Sequence, residues 1–145
     1  MQLEWNDDLA IGNHLIDAEH HFFLDLVKNI AFSVEAEAHS DYIVQLLVEL
    51  EKYADFHFCS EENIMLSCGY PDLVLHAEIH RHLLKKLEEK IERYKAGEVE
   101  ACDVLEFLGS WFLMHTAHED KKIAEHIRKE LEGGFPDILV GGESF

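Results

Sequence analysis

The sequence predicts an all-α protein, an up-down-up-down antiparallel four-helix bundle with an N-terminal arm and a short C-terminal tail. Four segments carry apolar residues at spacings of three and four, which is typical of amphipathic helices. Only short breaks separate these segments, and helices joined by short loops alternate in direction. The 145 residues suffice for one domain. We expect the bundle over residues 1–132, including the arm 1–16, and the tail over residues 133–145.

The first two predicted helices are separated by a break at Glu37 to Ser40. Asp17 is a suitable cap for the first helix. The inward stripe of the first helix is His20, Phe23, Val27, Ile30 and Val34. The inward stripe of the second helix is Ile43, Leu46, Leu50, Tyr53, His57, Glu61 and Ile64.

The sequence Cys68-Gly69-Tyr70-Pro71 ends the second predicted helix and starts the third, which ends before Ala96-Gly97. The inward stripe of the third helix is Leu73, His76, His80, Leu83, Leu87, Ile91 and Tyr94. The fourth carries Val104, Leu108, Trp111 and His115, and resumes with Ile123, Ile127 and Leu131 before Gly133-Gly134.

Charge and cysteine content exclude several classes of function. Thirty acidic against twelve basic residues give a net charge of −18, which disfavours binding to nucleic acid and to anionic membranes. No apolar run approaches the ~18 residues of a membrane span. The three cysteines form no C-x-x-C pair, which suits reduced thiols in the cytoplasm. We expect all three to be buried and inert.

Ionisable side chains interrupt the apolar stripes of all four helices. Alternating helix direction brings His20, the pair His57 and Glu61, the pair His76 and His80, and His115 to one end of the bundle. Each pair has the spacing of four that places two side chains on one helix face. Burying such groups without partners costs several kcal/mol each, so a metal that pairs them is the favoured interpretation.

The helical spacing does not decide which residue after His115 is the second ligand from the fourth helix. Residues three or four after His115 share its face in a regular helix, which favours His118 or Glu119. Asp120, five residues on, is rotated by roughly 140°. The other histidines are expected at the surface or behind the ligands; they are His14, His21, His39, His82, His118 and His126.

Four motifs resemble the hemerythrin family, in particular its single-domain bacterial members. They are IDAEHHFF at residues 16–23, HFCSEENIM at 57–65, HAEIH at 76–80 and WFLMHTAHED at 111–120. The resemblance covers about residues 3–130 and implies two iron ions joined by an oxo or hydroxo group. One iron would be held by His76, His80 and His115, the other by His20 and His57, with Glu61 and Asp120 bridging.

The resemblance also implies reversible dioxygen binding. Two six-coordinate irons offer twelve positions, of which the side chains and the solvent bridge fill eleven. The vacant position would lie on the iron with two histidines and would take up dioxygen. An apolar oxygen pocket around that position would be lined by Phe23, Phe58, Trp111, Phe112 and Thr116.

Two residues depart from the usual pattern of the family: Thr116, where an aliphatic residue is commoner, and Glu19, where glutamine is common. A hydroxyl at Thr116 could promote oxidation of the centre. The alternatives to reversible dioxygen binding are a di-iron peroxidase or oxidase, which could use the same ligands, and an oxygen or redox sensor. Against a ferritin-like enzyme, no histidine has a glutamate three residues before it. No catalytic residue is predicted, and a protein recipient of oxygen remains unidentified.

Overall fold

The computed structural model describes Trp5 and residues 7–132, apart from the side chains of Asp8, Phe112, Leu113, Ala117 and Glu132. The predicted tail, 133–145, and most of residues 1–6 lie outside this part of the chain. A short 3₁₀ turn, Asp7–Leu9, precedes the helices. The helices are α1 (His14–Glu35), α2 (Ser40–Ser67), α3 (Leu73–Lys95), α4 (Ala101–Met114), a π-helical segment (His115–Asp120) and α5 (Lys121–Glu132).

These helices form the predicted bundle. The main packing contacts run from α1 to α2, α2 to α3, α3 to α4 and α4 back to α1, which closes a ring of four. The π-helical segment and α5 continue the fourth member of the ring. Because each connection between members is only a few residues long, successive members run in opposite directions. Within the described residues, no helix combines the length and the apolarity that crossing a membrane requires.

The prediction that Asp17 caps the first helix was wrong. The helix begins at His14, and Asn13 is its cap, with Oδ1 accepting a hydrogen bond from the Ile16 amide at 3.0 Å. The Asp17 carboxylate accepts instead from the amides of Ile11 and Gly12, at 2.9 and 3.2 Å. Asp17 therefore anchors the incoming arm to the first turn, since its side chain reaches back along the chain.

The core lies along the bundle axis and contains residues from the predicted inward stripe of each helix. Val27, Leu50, Leu87 and Leu108, one from each helix of the ring, are fully or almost fully buried. A second apolar cluster joins the end of α2 to α5 and includes Met65 and Ile123. These two clusters flank the end of the bundle where the ionisable residues meet.

Two further expectations were wrong. Of the three free cysteines only Cys68 is buried, whereas Cys59 and Cys102 are exposed. Cys59 directly follows Phe58, which faces the core, so its own side chain falls on the outer surface of α2. Leu131 was placed on the inward stripe, but it is 52% exposed near the end of α5.

Candidate metal centre

Five histidines and two carboxylates converge at one end of the bundle, and all seven are buried. Alternating helix direction predicted this position for six of them, and the family resemblance implied the seventh, Asp120. In every contact within the cluster the histidine atom is Nε2. The residues are His20, His57, Glu61, His76, His80, His115 and Asp120. They form two overlapping groups, each with ligand-type atoms within 4.8 Å of one another, and Glu61 and Asp120 belong to both.

The smaller group contains His20 from α1 and His57 from α2. Their Nε2 atoms are 3.0 Å apart. His20 Nε2 lies 3.0 Å from Asp120 Oδ2, and His57 Nε2 lies 3.2 Å from Glu61 Oε2. The nearest shared carboxylate therefore differs between the two histidines, although His20 Nε2 also lies 3.6 Å from Glu61 Oε2.

The larger group contains His76 and His80 from α3 and His115 from the π-helical segment. His80 Nε2 is 2.9 Å from Glu61 Oε1 and 3.1 Å from His115 Nε2. Asp120 Oδ1 is 3.0 Å from His115 Nε2 and 3.3 Å from His76 Nε2. The two oxygens of each carboxylate therefore face different groups, an arrangement that suits a bridge between two cations.

The π-helical segment supplies the geometry that places Asp120 in the cluster. A π-helix pairs residues five apart, so it brings His115 and Asp120 onto one face, which a regular α-helix does not. His118 is exposed and Glu119 is half-buried. The wider turn of the π-helix therefore places Asp120 in the cluster, and leaves His118 and Glu119 outside it.

The cluster fits a metal site. Among the described residues, the four oxygens of Glu61 and Asp120 and Nε2 of His76 lie close to the other ligand-type atoms, but none of these contacts has the angles of an ordinary hydrogen bond. Such buried polar atoms are costly unless something pairs them. Imidazole nitrogens mixed with carboxylate oxygens are a donor set that first-row metal ions accept.

The electrostatics of the cluster favour cations. Burial opposes the charged form of His57, yet Glu61 and Glu19 raise its pKa to about 9. Burial opposes the charged form of His115 as well, and Asp120 raises its pKa to about 10. Burial alone would raise the pKa of Glu61, but the neighbouring His57 and the other imidazoles hold it well below its ordinary value. Without metal, protons on His57 and His115 compensate the carboxylates.

Outside the cluster, two glutamates contact the far sides of ligand-type histidines, and sequence reasoning missed both roles. Glu19 Oε1 lies 2.7 Å from His57 Nδ1, and Glu62 Oε2 lies 2.9 Å from His80 Nδ1. Glu19 was noted only as a departure from the family pattern. Glu62 carries no local signal, because its partner belongs to another helix.

Aromatic rings cover the core side of the cluster. Phe58 stacks on His80 with ring centroids 3.9 Å apart, and its ring also lies 5.6 Å from that of His115 and 5.8 Å from that of His57. Trp111 meets Phe23 and Phe58 edge to face at 5.2 and 5.7 Å. Of the predicted pocket residues, Phe23, Phe58, Trp111 and Thr116 are buried, and the side chain of Phe112 lies outside the described part.

The remaining histidines stay outside the cluster. His14, His21, His39, His82 and His118 are exposed. His126 is half-buried, and its Nε2 lies 3.2 Å from the Cys68 carbonyl oxygen. The prediction that these six occupy the surface or positions behind the ligands agrees with this placement.

The structure is a four-helix bundle in which five buried histidines surround two shared carboxylates. This arrangement is that of a helical metal-binding protein. Residues 11–130 match the family model described as the hemerythrin HHE cation binding domain. The chain belongs to the hemerythrin family.

Known members of the family are similar over most of the chain. A bacteriohemerythrin from Stenotrophomonas maltophilia is 26% identical over 97% of this chain and 91% of its own length. One from Clostridium acetobutylicum is 28% identical over 81% and 95%, respectively. The crystal structure of a hemerythrin leucine-to-alanine mutant superposes with a TM-score of 0.69 at 27% identity, covering 78% of this chain and 86% of that one.

Proposed function

We propose that this protein binds dioxygen reversibly at a non-heme di-iron centre, for oxygen storage, transport or delivery. The observation that carries the proposal is the pair of overlapping groups that share Glu61 and Asp120. Sharing two carboxylates suits two metal ions held close together. Membership of the hemerythrin family supports iron as the metal.

In this proposal His76, His80 and His115 hold one iron, and His20 and His57 hold the other. Glu61 and Asp120 bridge the two. The two groups differ by one histidine, so the position left for dioxygen belongs to the half with His20 and His57. When bound, the two irons supply the electrons that reversible dioxygen binding requires.

The protein contributes an apolar environment. Phe23, Phe58 and Trp111 are at most 8% exposed, and their rings pack against one another beside the histidines. Excluding water from the site limits proton leakage and side reactions of a bound oxygen species. We assign these rings and Thr116 to the oxygen pocket, together with Phe112 from the sequence pattern.

A direct test uses the purified protein after reduction without oxygen. We expect about two irons per chain, a new visible absorption band when oxygen is admitted, and loss of that band on degassing. His57→Ala and His80→Ala should each lower the iron content. Full iron retention in either variant, or no oxygen-dependent band in the parent, would contradict the proposal.

A di-iron peroxidase or oxidase is the second candidate, and the buried hydroxyl of Thr116 favours it. Thr116 directly follows His115 and is 1% exposed. A hydroxyl at this position offers a proton donor that an aliphatic residue does not. Thr116→Ile should then oxidise more slowly in air than the parent once both are reduced. Equal rates would remove the argument for Thr116.

None of the three cysteines is in a disulfide, which supports the proposal of a cytoplasmic location. The net charge of −18 argues against nucleic acid and anionic membranes as partners.

A further inference from the structure

The carboxylate of Glu19 is held between two hydrogen-bond donors beside the half of the centre with two histidines. Glu19 is buried. Its Oε1 accepts from His57 Nδ1 at 2.7 Å, and its Oε2 accepts from the Ser60 hydroxyl at 2.9 Å. The Tyr53 hydroxyl donates to the backbone carbonyl of Glu19 at 2.7 Å. Three contacts from α2 therefore fix this turn of α1.

Glu62 makes the comparable contact on the other half of the centre, to His80 Nδ1 at 2.9 Å. The two carboxylates differ in their access to water. The side chain of Glu19 is 10% exposed and that of Glu62 is 34% exposed. Solvent screens the charge of Glu62 more strongly, so the same charge has less effect there.

We propose that Glu19 is a positioning residue for His57, and that its negative charge favours the oxidised state of the metal in the half that contains His20 and His57. This inference rests on the proposed function, because it presumes that the cluster holds a redox-active metal pair. It extends that function by naming a residue that sets how readily the centre oxidises.

Two physical effects combine at Glu19. Donation from Nδ1 to Glu19 fixes the His57 tautomer and directs the Nε2 lone pair into the cluster, where His57 faces Glu61 at 3.2 Å. The carboxylate also makes the imidazole a stronger donor to a metal. In a site shielded from water, a nearby negative charge stabilises a more positively charged metal ion.

The first test compares Glu19→Gln with Glu62→Gln. The amide oxygen of glutamine still accepts from the histidine, so both variants keep the hydrogen bond and lose the charge. We expect Glu19→Gln to raise the reduction potential of the iron-loaded protein by at least about 59 mV. For a one-electron couple this is a tenfold change in the redox equilibrium. The shift in Glu62→Gln should be smaller.

The second test separates position from charge with a metal that needs no redox chemistry. Glu19→Leu removes both the hydrogen bond and the charge, and we expect Co²⁺ affinity to fall by about 10–100-fold. Glu19→Gln should restore most of that affinity. Circular dichroism and the thermal midpoint of the metal-free variants check that the bundle has folded.

If the parent chain binds iron and Co²⁺ but Glu19→Gln shifts the potential no more than Glu62→Gln, the proposed effect of the Glu19 charge is wrong. If Glu19→Leu binds Co²⁺ as the parent does, its positioning role is wrong. If the parent binds neither metal, the proposed function is overturned together with this inference.

Discussion

Nε2 of His115 lies 3.0 Å from Oδ1 of Asp120, although the two residues are five positions apart in one helical stretch. The π-helical segment begins with His115 and ends with Asp120, and its wider turn brings the two side chains into contact. A π-helix of this kind is rare and is often found at functional sites. Here it delivers a second shared carboxylate to a cluster that already contains Glu61.

The choice between Asp120 and His118 can be tested by metal content. Asp120→Asn removes a charge from the centre of the cluster, so we expect weaker Co²⁺ binding by more than about tenfold. His118→Ala alters an exposed residue two positions away and should leave Co²⁺ binding unchanged. The reverse result would place the ligand at His118.

A deletion tests the π-helical segment itself. Removing His118 leaves His115 and Asp120 four residues apart, the spacing that shares one face of an ordinary α-helix. We expect this variant to become α-helical there and to keep its metal content. Deleting the exposed Glu106 in α4 is the control, since it rotates everything after it by about 100° and should abolish binding. Equal loss in both deletions would show that the wider turn itself is required.

The metal-free protein should lose stability as the pH rises. The pKa values of about 9 for His57 and about 10 for His115 lie above the ordinary 6.5, so the folded state holds protons that the unfolded chain releases. The stabilisation is complete below about pH 6.5 and is lost as the pH rises through the folded-state values.

Urea unfolding of the metal-free protein between pH 6.5 and 10 measures this dependence. The metal-loaded protein is the control, because metal keeps the imidazoles deprotonated while the surface groups titrate as before. We expect a steeper fall in unfolding free energy without metal. Parallel curves would contradict the assigned pKa shifts.

The burial of Phe58, including its stack on His80, should contribute strongly to stability. Phe58 is 2% exposed, whereas Phe56, two residues earlier in α2, is 59% exposed. Replacing a buried phenylalanine with alanine typically costs about 3–5 kcal/mol, and surface substitutions usually stay within about 0.5 kcal/mol. We expect Phe58→Ala and Phe56→Ala to differ accordingly in urea unfolding. Similar values would mean that burial of Phe58 adds little.

Much of the fold could be predicted because helical periodicity is a local property of the chain. The spacing of Phe23, Val27 and Ile30 along α1 follows directly from an α-helix with one buried face. The cap of α1 could not be chosen this way, because Asn13 and Asp17 are both suitable residue types. The structure assigns the cap to Asn13, and Asp17 binds the amides of the arm instead.

The sequence by itself determined the four-helix architecture, the end of the bundle where the site lies, and six of the seven residues in the cluster by helical spacing and direction. The seventh, Asp120, followed only from the resemblance to a family. The pairs His57 with Glu61 and His76 with His80 needed only the α-helical spacing of four. Only the tertiary structure placed Asp120 through a π-helical turn and set Glu19 and Glu62 behind histidines of other helices. Those contacts depend on how helices pack and where one of them widens, and neither is recorded in the local order of residues.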